Sequence, residues 1–77
     1  MSNRLKEIAD QADIIVNGYS FTREGGLVRI LNLNNPDKAS VMRLDGEVLE
    51  TSMDDIEICI VRAYLAKNLR FLEESDA

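Results

Sequence analysis

The stretch Asp13-Ile14-Ile15-Val16-Asn17-Gly18-Tyr19 decides how the first part of the chain folds, because it supports two incompatible readings. Upstream, Leu5, Ile8, Ala9 and Ala12 recur at helical spacing, and Ile15, Val16 and Tyr19 continue that stripe. Ser2 or Asn3 can act as the N-cap, and Gly18, directly after Asn17, can act as the residue that ends the helix. The rival reading breaks the helix near Asp13 and makes Ile14 to Thr22 a strand, since Ile14, Ile15 and Val16 are all β-branched. Gly18 terminates a helix more naturally than it interrupts a strand. The preferred reading is therefore an N-terminal helix over residues 3–17.

Downstream of Gly18 the character changes to aromatic and β-branched residues separated by turn formers. Tyr19 to Arg23 and Leu27 to Leu33 read as strands joined by Glu24, Gly25 and Gly26. Asn34-Asn35-Pro36-Asp37 reads as a loop, with Pro36 suited to the second position of a turn. Ala39 to Leu44 and Glu47 to Thr51 flank Asp45-Gly46, a strong hairpin dipeptide. Ser52, with Asp55 three residues on, forms a variant capping box that opens a second helix from Met53 to about Leu72. Glu73, Glu74 and Asp76 would place negative charge at the negative end of that helix, so it should stop there. The predicted fold is α+β: an N-terminal helix, an antiparallel meander of three to four strands, and a long C-terminal helix packed on the sheet. Residues 1–77 form one domain on this reading, with the acidic tail 73–77 frayed.

Composition closes several functions. A chain of 77 residues buries only about 60% of the surface its unfolded form exposes, so its core is thin. Cys59 is the single cysteine and there is no histidine, which removes intrachain disulfides and leaves a structural zinc site almost without ligands. Self-association is the remaining device for a small fold. A serine or cysteine nucleophile would lack its customary histidine base, and Cys59 lies in an apolar stripe where a thiol is normally inert packing. Gly25-Gly26 has neither the lysine nor the following helix of a phosphate loop. The apolar runs are far shorter than the ~20 residues of a membrane span, and Met1 to Asp13 mixes charge with apolar residues, unlike a signal peptide. With a lone cysteine this predicts a cytoplasmic protein. No cofactor, metal or small molecule is implied, and a net charge of -5 disfavours binding to a phosphate backbone.

The second helix carries the most unusual pattern. On a wheel, Ile56, Cys59, Ile60, Ala63, Tyr64 and Phe71 share one side, while Ile58, Val61, Leu65, Leu69 and Leu72 share the other. A helix lying on one sheet needs a single apolar face, so the other must be covered, either by the N-terminal helix or by a second copy or another protein. Leu65, Leu69 and Leu72 extend beyond what a short sheet would shield. The face Ile58, Val61, Leu65, Leu69 and Leu72 is therefore the predicted interface, for a second copy or a protein partner.

Charge offers two further surfaces. Asp45, Glu47, Glu50, Asp54, Asp55 and Glu57 come without an intervening base, which could dock a basic partner, although their spacing lacks the ligand order of a calcium loop. Arg23, Arg29, Lys38 and Arg43, with Tyr19 and Phe21 nearby, would form a modest basic patch for single strands if they shared one sheet face. The run Thr51-Ser52-Met53-Asp54-Asp55-Ile56-Glu57-Ile58, with the plan of helix, hairpins and terminal helix, resembles short bacterial proteins of uncharacterised role. In size, acidity and element order the chain is also broadly similar to phage-encoded inhibitors of nucleic-acid enzymes, some of which mimic DNA with carboxylates. The sequence thus predicts a non-enzymatic bacterial interaction module. Its alternative is an acidic inhibitor docking a basic nucleic-acid-binding protein.

Overall fold

The structure, a computed structural model, describes residues 12–74. Ile14–Val16 forms strand β1, and Asn17-Gly18 turns the chain directly into β2, Tyr19–Glu24. Both turn residues have positive φ, 49° at Asn17 and 84° at Gly18. That pair of left-handed residues matches the twist of a two-residue hairpin, which helical backbone cannot supply. The register pairs Val16 with Tyr19, Ile15 with Ser20 and Ile14 with Phe21, and the Asp13 amide extends it by donating to the Phe21 carbonyl at 2.9 Å. The helix predicted over 3–17 is therefore corrected at residues 14–17; residues 3–11 of that prediction lie outside the described residues. β-branched Ile14, Ile15 and Val16 follow their strand preference, and Gly18 is a hairpin residue instead of a helix stop.

The remaining strands are β3 (Leu27–Asn32), β4 (Ala39–Arg43) and β5 (Val48–Thr51). Each pairs antiparallel with the next, in the order β1-β2-β3-β4-β5. The sheet has five strands because β1 joins the predicted meander. Gly25, with φ of 63°, and Gly26 close the β2–β3 hairpin as predicted. At the β3–β4 connection the Asn32 side-chain oxygen accepts from the amides of Asn34 and Asn35 at 2.9 and 3.0 Å, so this asparagine holds the turn. Between β4 and β5 the Asp45 carboxylate accepts from the Glu47 amide at 2.9 Å, and the pairing slips by a bulge between Val41 and Met42.

One helix is described, α1, spanning Asp55–Glu74. Its cap is Asp54: the carboxylate accepts from the Glu57 amide at 2.8 Å and the carbonyl from the Ile58 amide at 2.9 Å. Ser52 was the predicted cap, but its hydroxyl donates to the Asp37 carbonyl at 2.7 Å and its amide to that of Ala39 at 2.9 Å. Ser52 thus still belongs to the sheet, and the helix begins only after Met53 is buried. At the other end α1 runs past the predicted stop at Leu72. The Arg23 guanidinium reaches over from β2 and donates to the carbonyls of Leu72 and Glu73 at 3.1 and 3.0 Å. A cation on the carbonyls of the last turn offsets the acidic side chains there.

Strand alternation sorts the core. Phe21, Val28, Ile30 and Met42 point to the side covered by α1 and are buried, together with Val61, Leu65 and Leu72 of the helix and Met53 before it. Ile14, Val16, Tyr19, Leu44 and Val48 pack around their edge. Buried Ser40 is satisfied by a hydrogen bond with the Thr51 hydroxyl across β4 and β5.

Candidate docking surface on the terminal helix

The packing of α1 reverses the assignment of its two apolar faces. Val61, Leu65 and Leu72 are at most 1% exposed, and Ile58 and Leu69 pack against them, so the predicted interface is the inner face and lies on the sheet. The sheet does reach the end of the helix, because the β2–β3 hairpin extends to Leu72 through Arg23. A wheel reveals that two faces exist, but not which one the sheet selects. The outward stripe is Ile56, Cys59, Ile60, Ala63 and Phe71: Ile56 is 74% exposed, Ile60 41% and Phe71 53%, and Cys59 and Ala63 are exposed as well. Cys59 is therefore a surface thiol instead of the packing residue predicted.

Polar contacts at the first turns of α1 fix which way the helix lies. The Glu57 carboxylate accepts from the Tyr19 hydroxyl at 2.8 Å and from the Asn32 side-chain amide at 2.9 Å. Two turns further, the Tyr64 hydroxyl accepts from the Asn17 side chain at 3.0 Å, and its ring tilts against Tyr19 at 6.1 Å. Burial and then the hydrogen bond to Glu57 push the Tyr19 phenol up to about 12. These bonds run from the β1–β2 hairpin and the end of β3 to two points on α1 about two turns apart. They resist rotation of the helix about its axis, which keeps the outward stripe outward.

The six carboxylates of the predicted acidic surface are not gathered into one cluster. Asp45 and Asp54 accept backbone amides, Glu47 pairs with Arg43 at 3.2 Å, and Glu57 holds Tyr19 and Asn32. Asp55 starts α1, and Glu50 stands opposite Val41 on the sheet face turned away from the helix. Among the described residues no three metal-ligating side chains come together. The strand cations separate too. Arg29 and Arg43 lie on the outer sheet face, paired with Glu24 at 3.0 Å and with Glu47, whereas Arg23 is at the end of α1. Phe21 is buried and Tyr19 is held by Glu57, so neither ring is free to stack on a base.

The outer sheet face carries a groove of about 600 Å³ lined by residues including Ser20, Thr22, Arg29, Leu31, Val41 and Glu50. Its apolar residues Leu31 and Val41 are already half-buried, and Arg29 has its glutamate. Ile56, Ile60 and Phe71 of α1 stand much further into solvent.

Among the described residues, fold and surface define a small α+β protein, an antiparallel five-strand sheet backed on one face by α1, with exposed apolar side chains on the outer side of that helix. No described helix is long and apolar enough to cross a membrane. The chain belongs to a family of unknown function (DUF7723), which matches residues 2–72. No curated protein and no solved structure matches it.

Proposed function

We propose that the protein is a non-enzymatic interaction module that docks a polypeptide through the outward stripe of α1. The observation that carries this reading is the exposure of Ile56, Ile60 and Phe71 on a helix whose opposite side packs on the sheet. Large aliphatic and aromatic side chains in water cost free energy that a contact surface recovers, about 25 cal/mol per Å² of apolar area covered. The lone cysteine and the absence of histidine fit a partner-binding role in a reducing cytoplasm of a bacterial cell.

A photo-reactive amino acid placed at Ile60, at Phe71 or, as a control, at Asp45 tests the reading in the cells that make the protein. Adducts at Ile60 and Phe71 but not at Asp45 are expected. Equal yields at all three positions, or none at the helix, would overturn it.

A further inference from the structure

We infer that the polypeptide docked by the outward stripe of α1 is an acidic amphipathic segment, which sets a carboxylate on Lys67 between apolar contacts to Ile60 and Phe71. This rests on the docking reading above and adds the chemistry of the partner. Ile60, Ala63, Lys67 and Phe71 follow one another at spacings of three and four residues, so they share one side of the helix, and all four are exposed. The stripe therefore has a cation inside it. Any segment that covers both Ile60 and Phe71, about 16 Å apart along the helix axis, also covers Lys67. Taking an ammonium out of water is strongly unfavourable unless an anion meets it, so the partner has to bring one.

The fold itself does not supply that anion. The cations of the sheet are engaged within the chain: Arg29 with Glu24, Arg43 with Glu47, Arg23 with the last carbonyls of α1, and Lys38 with the Ser52 carbonyl at 3.2 Å. Arg62 lies along the turn at Gly46. Among the described residues Lys67 and Arg70 have no ion pair, and they stand three residues apart on the outward side. Carboxylates bracket them along the same helix, with Asp54 and Asp55 exposed at its start and Glu73 and Glu74 exposed in its last turn. The two glutamates are within one turn of Arg70 and offset its charge, but Lys67 has no carboxylate three or four residues away on either side. This order selects the form of the partner's charge as well as its sign. A polyanion, whether nucleic acid or an anionic membrane, would run onto the carboxylates at both ends and meet a net charge of -5. A peptide segment with one or two acidic residues set between aliphatic or aromatic ones answers Lys67 and keeps its apolar side chains for Ile60 and Phe71.

The test uses the full chain in the cells that make it, with a photo-reactive amino acid at Ile60 to record docking and variants at Lys67 to probe the charge. Lys67→Glu should cut the yield of the Ile60 adduct at least about tenfold, whereas Lys67→Arg should keep it. Circular dichroism of the purified variants checks that this exposed position leaves the fold intact. A water-soluble carbodiimide, which joins an amine to a carboxylate in contact with it, is then applied to the complex recovered from those cells. It should link Lys67 to an aspartate or glutamate of the partner, a product that Lys67→Arg deletes without loss of the photo-adduct. An adduct yield indifferent to Lys67→Glu, or no carbodiimide link at Lys67, overturns the acidic-segment assignment while the docking reading stands. An adduct formed with nucleic acid or with a second copy of this chain also overturns it. The absence of any adduct at Ile60 in the wild-type background overturns the docking reading itself, and this inference with it.

Discussion

Leu65→Ala and Ile60→Ala, made separately, decide which side of α1 is the core. Leu65 is 1% exposed and central to the contact of helix and sheet, with Phe21, Ile30 and Met42 in the same cluster. Truncating a buried leucine loses its transfer free energy and leaves a cavity, together about 2–5 kcal/mol. At ~0.05–0.15 kcal/mol per residue, a chain of 77 residues has a total stability of about 4–12 kcal/mol, so this single change removes a large part of it. The midpoint of thermal unfolding should fall by at least about 10 °C. Ile60 is on the solvent side, 41% exposed, and alanine has the better helix propensity there. Its substitution should stay within about 0.5 kcal/mol of wild type. Urea unfolding followed by circular dichroism measures both, at low protein concentration so that association does not contribute. If Ile60→Ala proved the more damaging of the two, α1 would be seated by its other face, and both the core and the docking stripe would be misassigned.

Four other outcomes follow from the geometry. Gly18→Ala should cost more than Gly25→Ala in urea unfolding, because Gly18 has φ of 84° and an added Cβ would stand 2.7 Å from the Asn34 amide nitrogen, whereas the space at Gly25 is open. Equal costs would show that the Asn17-Gly18 turn is not as tight as described. Tyr19 keeps its neutral phenol favoured in the folded state, so this stabilisation is complete below about pH 10 and is lost as pH rises through about 12. Absorbance should record one phenol ionising near pH 12, a step that Tyr19→Phe deletes. Arg23→Met should cost about 1–2 kcal/mol and speed amide exchange in the last turn of α1, since two carbonyls lose their charged donor. Asp54→Ala should cost about 0.5–2 kcal/mol, and Ser52→Ala should leave the helix start unchanged while loosening its link to Asp37.

Much of this architecture was legible from the residues, and the exceptions have specific causes. The hairpin at Gly25-Gly26, the hairpin at Asp45-Gly46 and the long terminal helix follow from turn chemistry and helical spacing, and all are present. The stretch 14–19 misled because its apolar positions satisfy a helical stripe as well as a strand. Asn17-Gly18 held the deciding signal, since asparagine and glycine are the pair that most readily take positive φ together. The cap moved from Ser52 to Asp54 because Ser52 has a competing set of partners in the sheet, which local sequence does not reveal. Charge patterning located carboxylates and arginines in the chain but not in space. Strand alternation sends Arg23 to one side of the sheet and Arg29 and Arg43 to the other.

The outward stripe is the feature whose residues serve folding least. Ile56 and Ile60 gain little from the core, and a β-branched residue is a poorer helix former than the alanine, lysine or glutamate that would suit an exposed position. Phe71 exposes an aromatic ring at the far end of the same helix, on the same side. Meanwhile Tyr19, Asn32 and Asn17 hold the helix so that these three residues cannot rotate inward. A helix fixed in that orientation has apolar area to drive a contact. Replacing Ile56 and Ile60 with lysine should therefore leave the fold at least as stable while abolishing docking through the helix, a separation that side chains serving only the fold would not permit.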